Sequence, residues 1–523
     1  MATILQSGQV KTNNVGLAYA RQTALGTLPT TGWRQTEPNS ISTFGATITT
    51  VARNPISINR QRRKGTVTDL DSSLEYEADL TLSSFRDHAE GFAFVQGINT
   101  DVTQLTATGA ETTTDTFTGL TALTAAQAGK FLVGTLIWVN GSSLGNNGLK
   151  EIDTAASSSD TSLAVADNLV DETAALRISF AGHRVDSGDT ITWAWDGTTN
   201  RATMASTGIG TRLDALGVIP GMVLHIGSVA SVGGSIQNAF QNTAANDMFG
   251  YARVVSTSAD EVIFDKVAAA LQFDDSTSPT TDVDIVFGEF IRNVAVDDSE
   301  FCEIAYTYEA SFPGLGDGTP GNTDTSYQYS IDNFVNTLGF NLPLTDKATV
   351  TFGFIGTDTQ NPTTTQQTGA ASATVPTQTA AFNTSSDIAR LRITDVDEDG
   401  LTTDFKSLTM NINNNVSPEK VIGQLGARFI NYGNFEIDIE TQLLFSNPLV
   451  INAIRDNETL SMDFIIKNDD GVIAVDIPSM TLGGGDREFP ANETILINTT
   501  AQAFGDTTFG HSIGISLFPV PLP

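Results

Sequence analysis

The sequence predicts an all-β protein with two short helices, built from two tandem β-rich units of which the first is interrupted by a β-rich insert. Three observations carry this expectation. The composition has 46 Gly and 17 Pro in 523 residues, with 40 % hydrophobic and 17 % charged residues, which supports cores joined by many turns. Apolar and polar residues alternate with period two through most of the chain, the pattern of half-buried strands. The order strand, loop, strand, helix occurs twice.

Two strands anchor the repeat. Leu74, Tyr76, Ala78 and Leu80 alternate with Glu75, Glu77 and Asp79, and Ile437 and Ile439 alternate with Glu436, Asp438 and Glu440. Successive side chains of an extended strand point to opposite faces, so each trio of carboxylates shares one face. Each strand runs into a stretch with helical spacing, residues 83–94 (SSFRDHAEGFAF) and 447–457 (NPLVINAIRDN). Upstream, residues 55–59 (PISIN) and 408–413 (LTMNIN) each precede a polar loop. Downstream, 301–306 (FCEIAY) corresponds to 460–465 (LSMDFI), and 329–332 (YSID) to 475–478 (VDIP). Ile331 and Val350 are 19 residues apart, as are Ile477 and Leu496.

These correspondences divide the chain. An N-terminal arm occupies residues 1–36, copy one 37–100 plus 293–360, a linker 361–384, and copy two 385–523. The insert, 101–292, reads as two small β modules. One contains 133–139 (VGTLIWV) and 176–180 (LRISF), the other 219–226 (IPGMVLHI), 252–255 (ARVV) and 284–287 (DIVF). An insert of this size leaves and re-enters at the surface, so it is expected to decorate the main body. The linker is rich in Thr, Gln and Ala and has little to bury.

Charge narrows the function. Asp and Glu number 60 against 27 Lys and Arg, a net charge of −33. Nucleic-acid binding by phosphate neutralisation needs a basic footprint, and so does docking on an anionic membrane. One cysteine and four histidines exclude a disulfide scaffold and argue against a Cys/His metal site. Cys302 is expected in a core, and the lone thiol fits folding in a reducing cytosol. Residues 1–8 (MATILQSG) lack a basic n-region and a long apolar stretch, so no signal peptide is expected. No apolar run approaches the ~20 residues of a membrane helix.

Chemical motifs are few. Residues 510–514 (GHSIG) match the nucleophile-elbow pattern, but an elbow needs a strand-to-helix turn with an acid and a histidine placed to follow. The stretch alternates as a terminal strand instead. Residues 395–400 (DVDEDG) open like a calcium loop, yet position twelve, which should be a bidentate Glu, is Lys406; an acidic hairpin turn explains it equally. Arg53, Arg60, Arg62, Arg63 and Lys64 place five basic residues within twelve positions. That loop reads as a solvated loop, as a contact with another, acidic subunit, or as a DNA-binding loop. The chain is expected not to be an enzyme and to use no cofactor or metal. Like charges side by side repel, and a plain solvent face intersperses lysines. The two acidic strand faces therefore read as solvent-facing acids or as a surface that repels something negative.

The chain resembles the tail tube proteins (major tail proteins) of long-tailed bacteriophages, of the duplicated type with an inserted β region. In copy two the resemblance is carried by 411–415 (NINNN), 423–426 (GQLG), 435–442 and 447–457. In copy one it is carried by 327–331, 335–338 (VNTL) and 351–356 (TFGFIG), and in the insert by 220–222 (PGM), 246–252 (NDMFGYA) and 263–266 (IFDK). The resemblance implies β-sandwich or partly closed barrel domains with one helix on the flank. It implies rings, trimeric and pseudo-hexameric for a duplicated chain, stacked into a tube. The tube's acidic lumen would conduct double-stranded DNA without specific binding, with Glu75, Glu77, Asp79, Glu436, Asp438 and Glu440 facing it. The implied partners are further copies of the chain, the tape measure, the tail tip and the tail terminator; the implied location is the virion tail, assembled in the host cytoplasm. A bacterial surface or adhesion protein and a virion decoration protein share the composition and stand as alternatives.

Overall fold

The computed structural model describes residues 10–522 apart from 55, 57, 59, 187, 230–235, 238–249, 268–281, 318–323, 377–378, 395–399, 403, 490 and 493. The fold is mostly β with few short helices. Two compact units form: Met1–Val95 with Phe301–Thr384 and Lys406–Thr441, and Gln96–Glu300 with Ser385–Phe405 and Gln442–Pro523. The chain leaves the first unit for the insert after Val95 and re-enters it at Phe301; there Val95 bridges Phe301 and the Cys302 amide donates to the Phe94 carbonyl at 2.9 Å. Cys302 is half-buried in this re-entry segment rather than in a core strand.

In the first unit an antiparallel sheet runs Pro38–Arg53, Arg63–Asp79, Thr349–Gly356, Ser326–Leu342, Phe405–Asn413. Register decides its two faces, because side chains opposite each other across a ladder share a face. Tyr76 lies opposite Phe352, Ala78 opposite Val350, Phe352 opposite Leu338 and Leu338 opposite Ile412. All of these are buried. Residues 406–441, read from the sequence within copy two, join the first unit because Leu408–Asn413 forms a ladder with the last third of Ser326–Leu342. The first half of that strand pairs instead with Tyr306–Phe312, which pairs in turn with Gly16–Arg21. One strand thus serves two ladders, bending at Asp332 (φ 52°) and at the register shift between Val335 and Thr337.

The helix Leu82–Ala93 seals the apolar face. Thr81 caps it by accepting from the Ser84 amide while the Ser84 hydroxyl accepts from the Thr81 amide, and Phe94 ends it in the left-handed region, so two otherwise orphaned backbone donors are satisfied. Phe85 packs on Phe340 with ring centroids 5.2 Å apart. Gly91 is required, since a Cβ there would stand 2.4 Å from the Tyr306 hydroxyl. His88 enters a cage of Tyr19, Tyr76, Tyr306, Tyr308, Phe352 and Phe354, with Nε2 2.7 Å from the Tyr308 hydroxyl.

The second unit joins the insert to the end of the chain. The helix Leu449–Asp456 lies beside the hairpin Leu460–Asn468/Gly471–Glu488, where Gly485 leaves room for Ile451 and Ile454. Inside the insert, the sheet runs Thr192–Asp196, Arg201–Ala205, Glu261–Asp265, Gly250–Thr257, Val223–Val229, Val283–Val286, Leu176–Val185, Thr135–Asn140, Gly148–Glu151. The two sequence halves therefore share one sheet and one core, which includes Phe117, Phe131, Phe180, Phe264 and Phe287. The link is the edge of Leu176–Val185 opposite Thr135–Asn140: its first residues pair there with Leu105–Ala107 and its last with Val283–Val286. Two short helices, Ala125–Ala128 and Ile209–Ala215, were not expected from the sequence.

The insert is fixed to the terminal strands by a ladder and a buried ionic network. Glu289–Arg292 pairs with Gly514–Phe518. Arg253 holds Asp265 through two bonds of 2.8 Å and Asp476 at 3.1 Å; Arg390 and Arg392 both hold Asp463; and Lys266 donates to the hydroxyls of Thr394 and Ser461. All seven charged members are buried or mostly buried. Burial pushes the Asp463 and Asp476 carboxyls up; at Asp463 the two arginines outweigh it and its pKa falls, whereas at Asp476 burial wins and its pKa rises.

Two outcomes follow from these cores. Breaking the network from one side strands a buried charge, so Arg253→Met should destabilise the second unit by about 3–5 kcal/mol, and changing Arg253, Asp265 and Asp476 together to apolar residues should recover most of it. Urea denaturation checks both; equal stability of Arg253→Met and the parent would show the network to be dispensable. Histidine burial sets a pH dependence. Desolvation lowers His88, His183 and His511 from 6.5 to about 4, and His225 to about 3. A base depressed in the folded state gives its full stability above pH 6.5 and loses it as pH falls toward 4, because the unfolded chain then binds the extra proton. At pH 5 each histidine should cost about 2 kcal/mol relative to pH 7.5, read as a falling melting temperature that His88→Gln blunts.

Candidate functional site

The face of the first unit's sheet opposite the apolar core carries Glu75, Glu77 and Asp79. In register beside them stand Gly353, Thr351 and Thr349, then Thr337, Gly339 and Asn341, then Asn413, Asn411 and Thr409; on the other flank stand Thr43 and Ser40. The face is a row of carboxylates among hydroxyl, amide and glycine positions, and none of these positions is cationic. Gly353 is needed for closeness: a Cβ there would stand 2.2 Å from Thr337 Oγ1. Asp79 at the row's end pairs with Lys347 at 2.7 Å and accepts from Asn39. Glu75 and Glu77 make no ion pair with a described residue. The alternates Tyr76 and Ala78 are 2 % and 4 % exposed.

The second acidic strand is Glu436–Leu444. Glu436, Asp438 and Glu440 are exposed there while Ile437 and Ile439 are buried. Both strands thus present the carboxylates on the face away from their buried apolar residues.

The basic loop is the end of a long hairpin. The ladder between Pro38–Arg53 and Arg63–Asp79 continues out to Arg53 opposite Arg63. Beyond Thr47 the first strand is exposed at every residue, including Ile48 and Val51. Ile56 and Ile58 near the tip are fully exposed. Arg53, Arg60, Arg62, Arg63 and Lys64 are all exposed and make no ion pair with a described residue. Arg53 facing Arg63 is a like-charge pair that costs stability across a ladder. The other edge of Pro38–Arg53 forms no ladder with a described strand.

Sequence reasoning missed what stands at the base of this arm. A second hairpin, Ser417–Lys420/Ala427–Asn431, carries Lys420, whose ammonium reaches Asp69 at 2.6 Å and Asp71 at 2.5 Å. These bonds lower the Asp69 pKa and raise that of Lys420. Its loop exposes Ile422 fully; an apolar pair, Val421-Ile422, before two glycines was the available signal.

The remaining motifs are placed by the fold. Ser512 precedes the strand Gly514–Phe518 rather than a helix, and Asn293 takes its amide at 2.9 Å and donates to its hydroxyl at 3.3 Å. His511 is buried against Phe509 and Phe290. Residues 395–399 of the acidic turn lie outside the described residues, and Lys406 lies in the strand Phe405–Asn413. Among the described residues no cluster of His, Cys, Asp and Glu is arranged to hold a metal ion, and no helix is long and apolar enough to cross a membrane.

A search of curated proteins finds no match. The family model described as phage tail tube protein matches residues 225–503, more than half of the chain. That span reaches from the insert through the second acidic strand to the terminal hairpin, and on it the chain belongs to the phage tail tube protein family, a structural family of the virion tail.

Proposed function

We propose that this chain is the subunit of a tail tube whose rings stack into a conduit for double-stranded DNA. The observation that carries the reading is the face of the first unit's sheet on which Glu75, Glu77 and Asp79 stand in a row among hydroxyl, amide and glycine positions, with a lysine only at the Asp79 end and apolar alternates buried behind them. In a ring, this face and that of Glu436, Asp438 and Glu440 line the lumen. The unpaired edge of Pro38–Arg53 supports the ring: sixteen residues of open edge invite pairing with another chain, and closure satisfies them. Three chains complete a ring if the two tandem β-rich copies, 37–100 plus 293–360 and 385–523, each contribute one tube unit. Further copies, the tape measure, the tail tip and the tail terminator are the partners such a tube needs. Assembly takes place in the host cytoplasm, and the basic loop contacts a neighbouring subunit.

The mechanism is passive. DNA carries one negative charge per ~1.7 Å of axis. A basic wall would hold it, whereas an acidic wall offers no electrostatic minimum, so the duplex slides. Screening beyond ~8–10 Å makes this a short-range wall.

Two measurements test the reading. Negative-stain imaging with mass measurement of the purified protein should show stacked rings with an axial hole and three chains per ring; a stable monomer would sink the tube, and six chains would sink the trimer alone. Replacing Glu75, Glu77, Asp79, Glu436, Asp438 and Glu440 by Lys should leave virions that assemble but deliver DNA slowly or stall. A structure of the assembled tube with these carboxylates on its outer surface would refute the lumen assignment.

A further inference from the structure

A cavity within the insert is lined by polar groups that do not satisfy one another. Its volume is about 280 Å³, and it lies where the end of Leu176–Val185 meets the turn from Arg201–Ala205 into the helix Ile209–Ala215. Its polar lining includes His183, Asp186, Asp189, Ser206, Thr207 and Arg212.

The walls are held in place. Gly208 turns at φ 74°, its amide donating to Asp260 Oδ1 at 2.6 Å, and the Ser206 amide donates to the Asp260 carbonyl at 3.0 Å. Gly210 brings the helix hard against the following loop, since a Cβ there would stand 1.5 Å from the Ser258 carbonyl. Across the cavity Gly134, at φ 81°, closes on His183, whose Cε1 would lie 2.9 Å from an added Cβ.

The lining changes from uncharged to charged toward solvent. His183 and Ser206 are 8 % and 6 % exposed. Burial, and after it Arg212, holds the His183 pKa down to about 4, so the imidazole is neutral at pH 7. Its Nδ1 is buried beside the Gly134 backbone and makes no well-formed hydrogen bond. Asp186 and Asp189 are exposed and Arg212 is half-buried. None of these three charged side chains makes an ion pair or a side-chain hydrogen bond with a described residue. Arg184, also in the wall, is already committed to Glu151 at 2.9 Å and Asp284 at 2.8 Å. A free guanidinium and two free carboxylates thus share one cavity without pairing.

We infer that this cavity binds one ring of a neutral polyhydroxylated ligand, a sugar or a cyclitol. A hydroxyl group both donates and accepts, so adjacent hydroxyls of one ring satisfy the carboxylates, the guanidinium and the inner imidazole and serine together. An anion would meet Asp186 and Asp189, and a cation would meet Arg212. A zwitterion would use only the outer groups and leave His183 and Ser206 without a matching partner. The volume is at the small end for ligand pockets, with room for one ring, so a longer saccharide enters by its end residue. The site is independent of whether the rings form.

The test is saturation-transfer NMR on the purified full chain with methyl glycosides of glucose, galactose and mannose, and with myo-inositol. Ring protons of at least one probe should receive saturation, and Arg212→Gln and Asp189→Asn should each weaken binding about tenfold with the melting temperature unchanged. Thr207→Trp, at an exposed position, should block the cavity and abolish the signal. Transfer to the end residue of a disaccharide as well as to the methyl glycoside would identify a chain end as the ligand, and transfer to the methyl glycoside alone a free sugar. Saturation of none of the probes, or equal saturation in the parent and all three variants, would overturn the site. Binding of serine or inorganic phosphate in place of every glycoside and inositol would overturn the ligand class.

Discussion

Everything in the first unit depends on one register, the ladder that sets Tyr76 opposite Phe352 and Phe352 opposite Leu338. A strand's side chains have period two, so a slip of one residue would exchange its faces. Tyr76 and Leu74 would move outward, and three carboxylates would enter an aromatic core with no cation to meet them. Burying unpaired charge costs far more than any exposed contact gains. The acidic face is thus a corollary of the core, and it is as firmly placed as Tyr76 is. The His88 cage adds to this, since Tyr19, Tyr76, Tyr306 and Tyr308 come from three strands and share one imidazole.

The second unit solves a different problem with polar groups. A long insert must be held to its host body, and here the contact includes Arg253, Lys266, Asp463 and Asp476 with little or no exposure. An apolar patch of equal area would also bind, but without direction. Paired guanidinium and carboxylate groups fix register as well as proximity, which is the best attested use of buried ion pairs. The Glu289–Arg292 ladder with Gly514–Phe518 gives the same specification through the backbone.

Much of this was legible in the sequence because it depends on local periodicity. The expected helices at 83–94 and 447–457 are observed at Leu82–Ala93 and Leu449–Asp456, and the alternation at 74–80 and 436–440 matches the observed burial. What was not legible depends on partners distant in sequence. The insert halves read as two modules because each has its own strands and turns; the pairing of Gly182–Val185 with Val283–Val286 makes their strands one sheet, and no local pattern encodes it. The assignment of 406–441 to the first unit has the same origin. Residues 60–64 read as a polar loop because arginines interrupt the alternation, while the ladder holding the arm extended comes from ordinary Thr and Val positions on either side. Lys420 was missed because a single lysine has no meaning until Asp69 and Asp71 are beside it.

With 27 cations against 60 acids, where the cations go is informative. Arg253, Lys266, Arg390 and Arg392 are committed to the buried network. Arg21 and Arg34 hold Glu90 and Asp87 on the helix, and Lys420 ties two hairpins. Five more are gathered on the arm. The rows around Glu75 and Glu77 receive none, although those positions are open to any polar residue and a lysine there would relieve like-charge repulsion. Hydroxyls, amides and glycines stand there instead, groups that neither attract nor hold a phosphate backbone by charge. That distribution, with Lys347 at Asp79 as the one cation paired on the row, is the arrangement the proposed conduit needs, since a wall without free cations offers a polyanion nothing to bind.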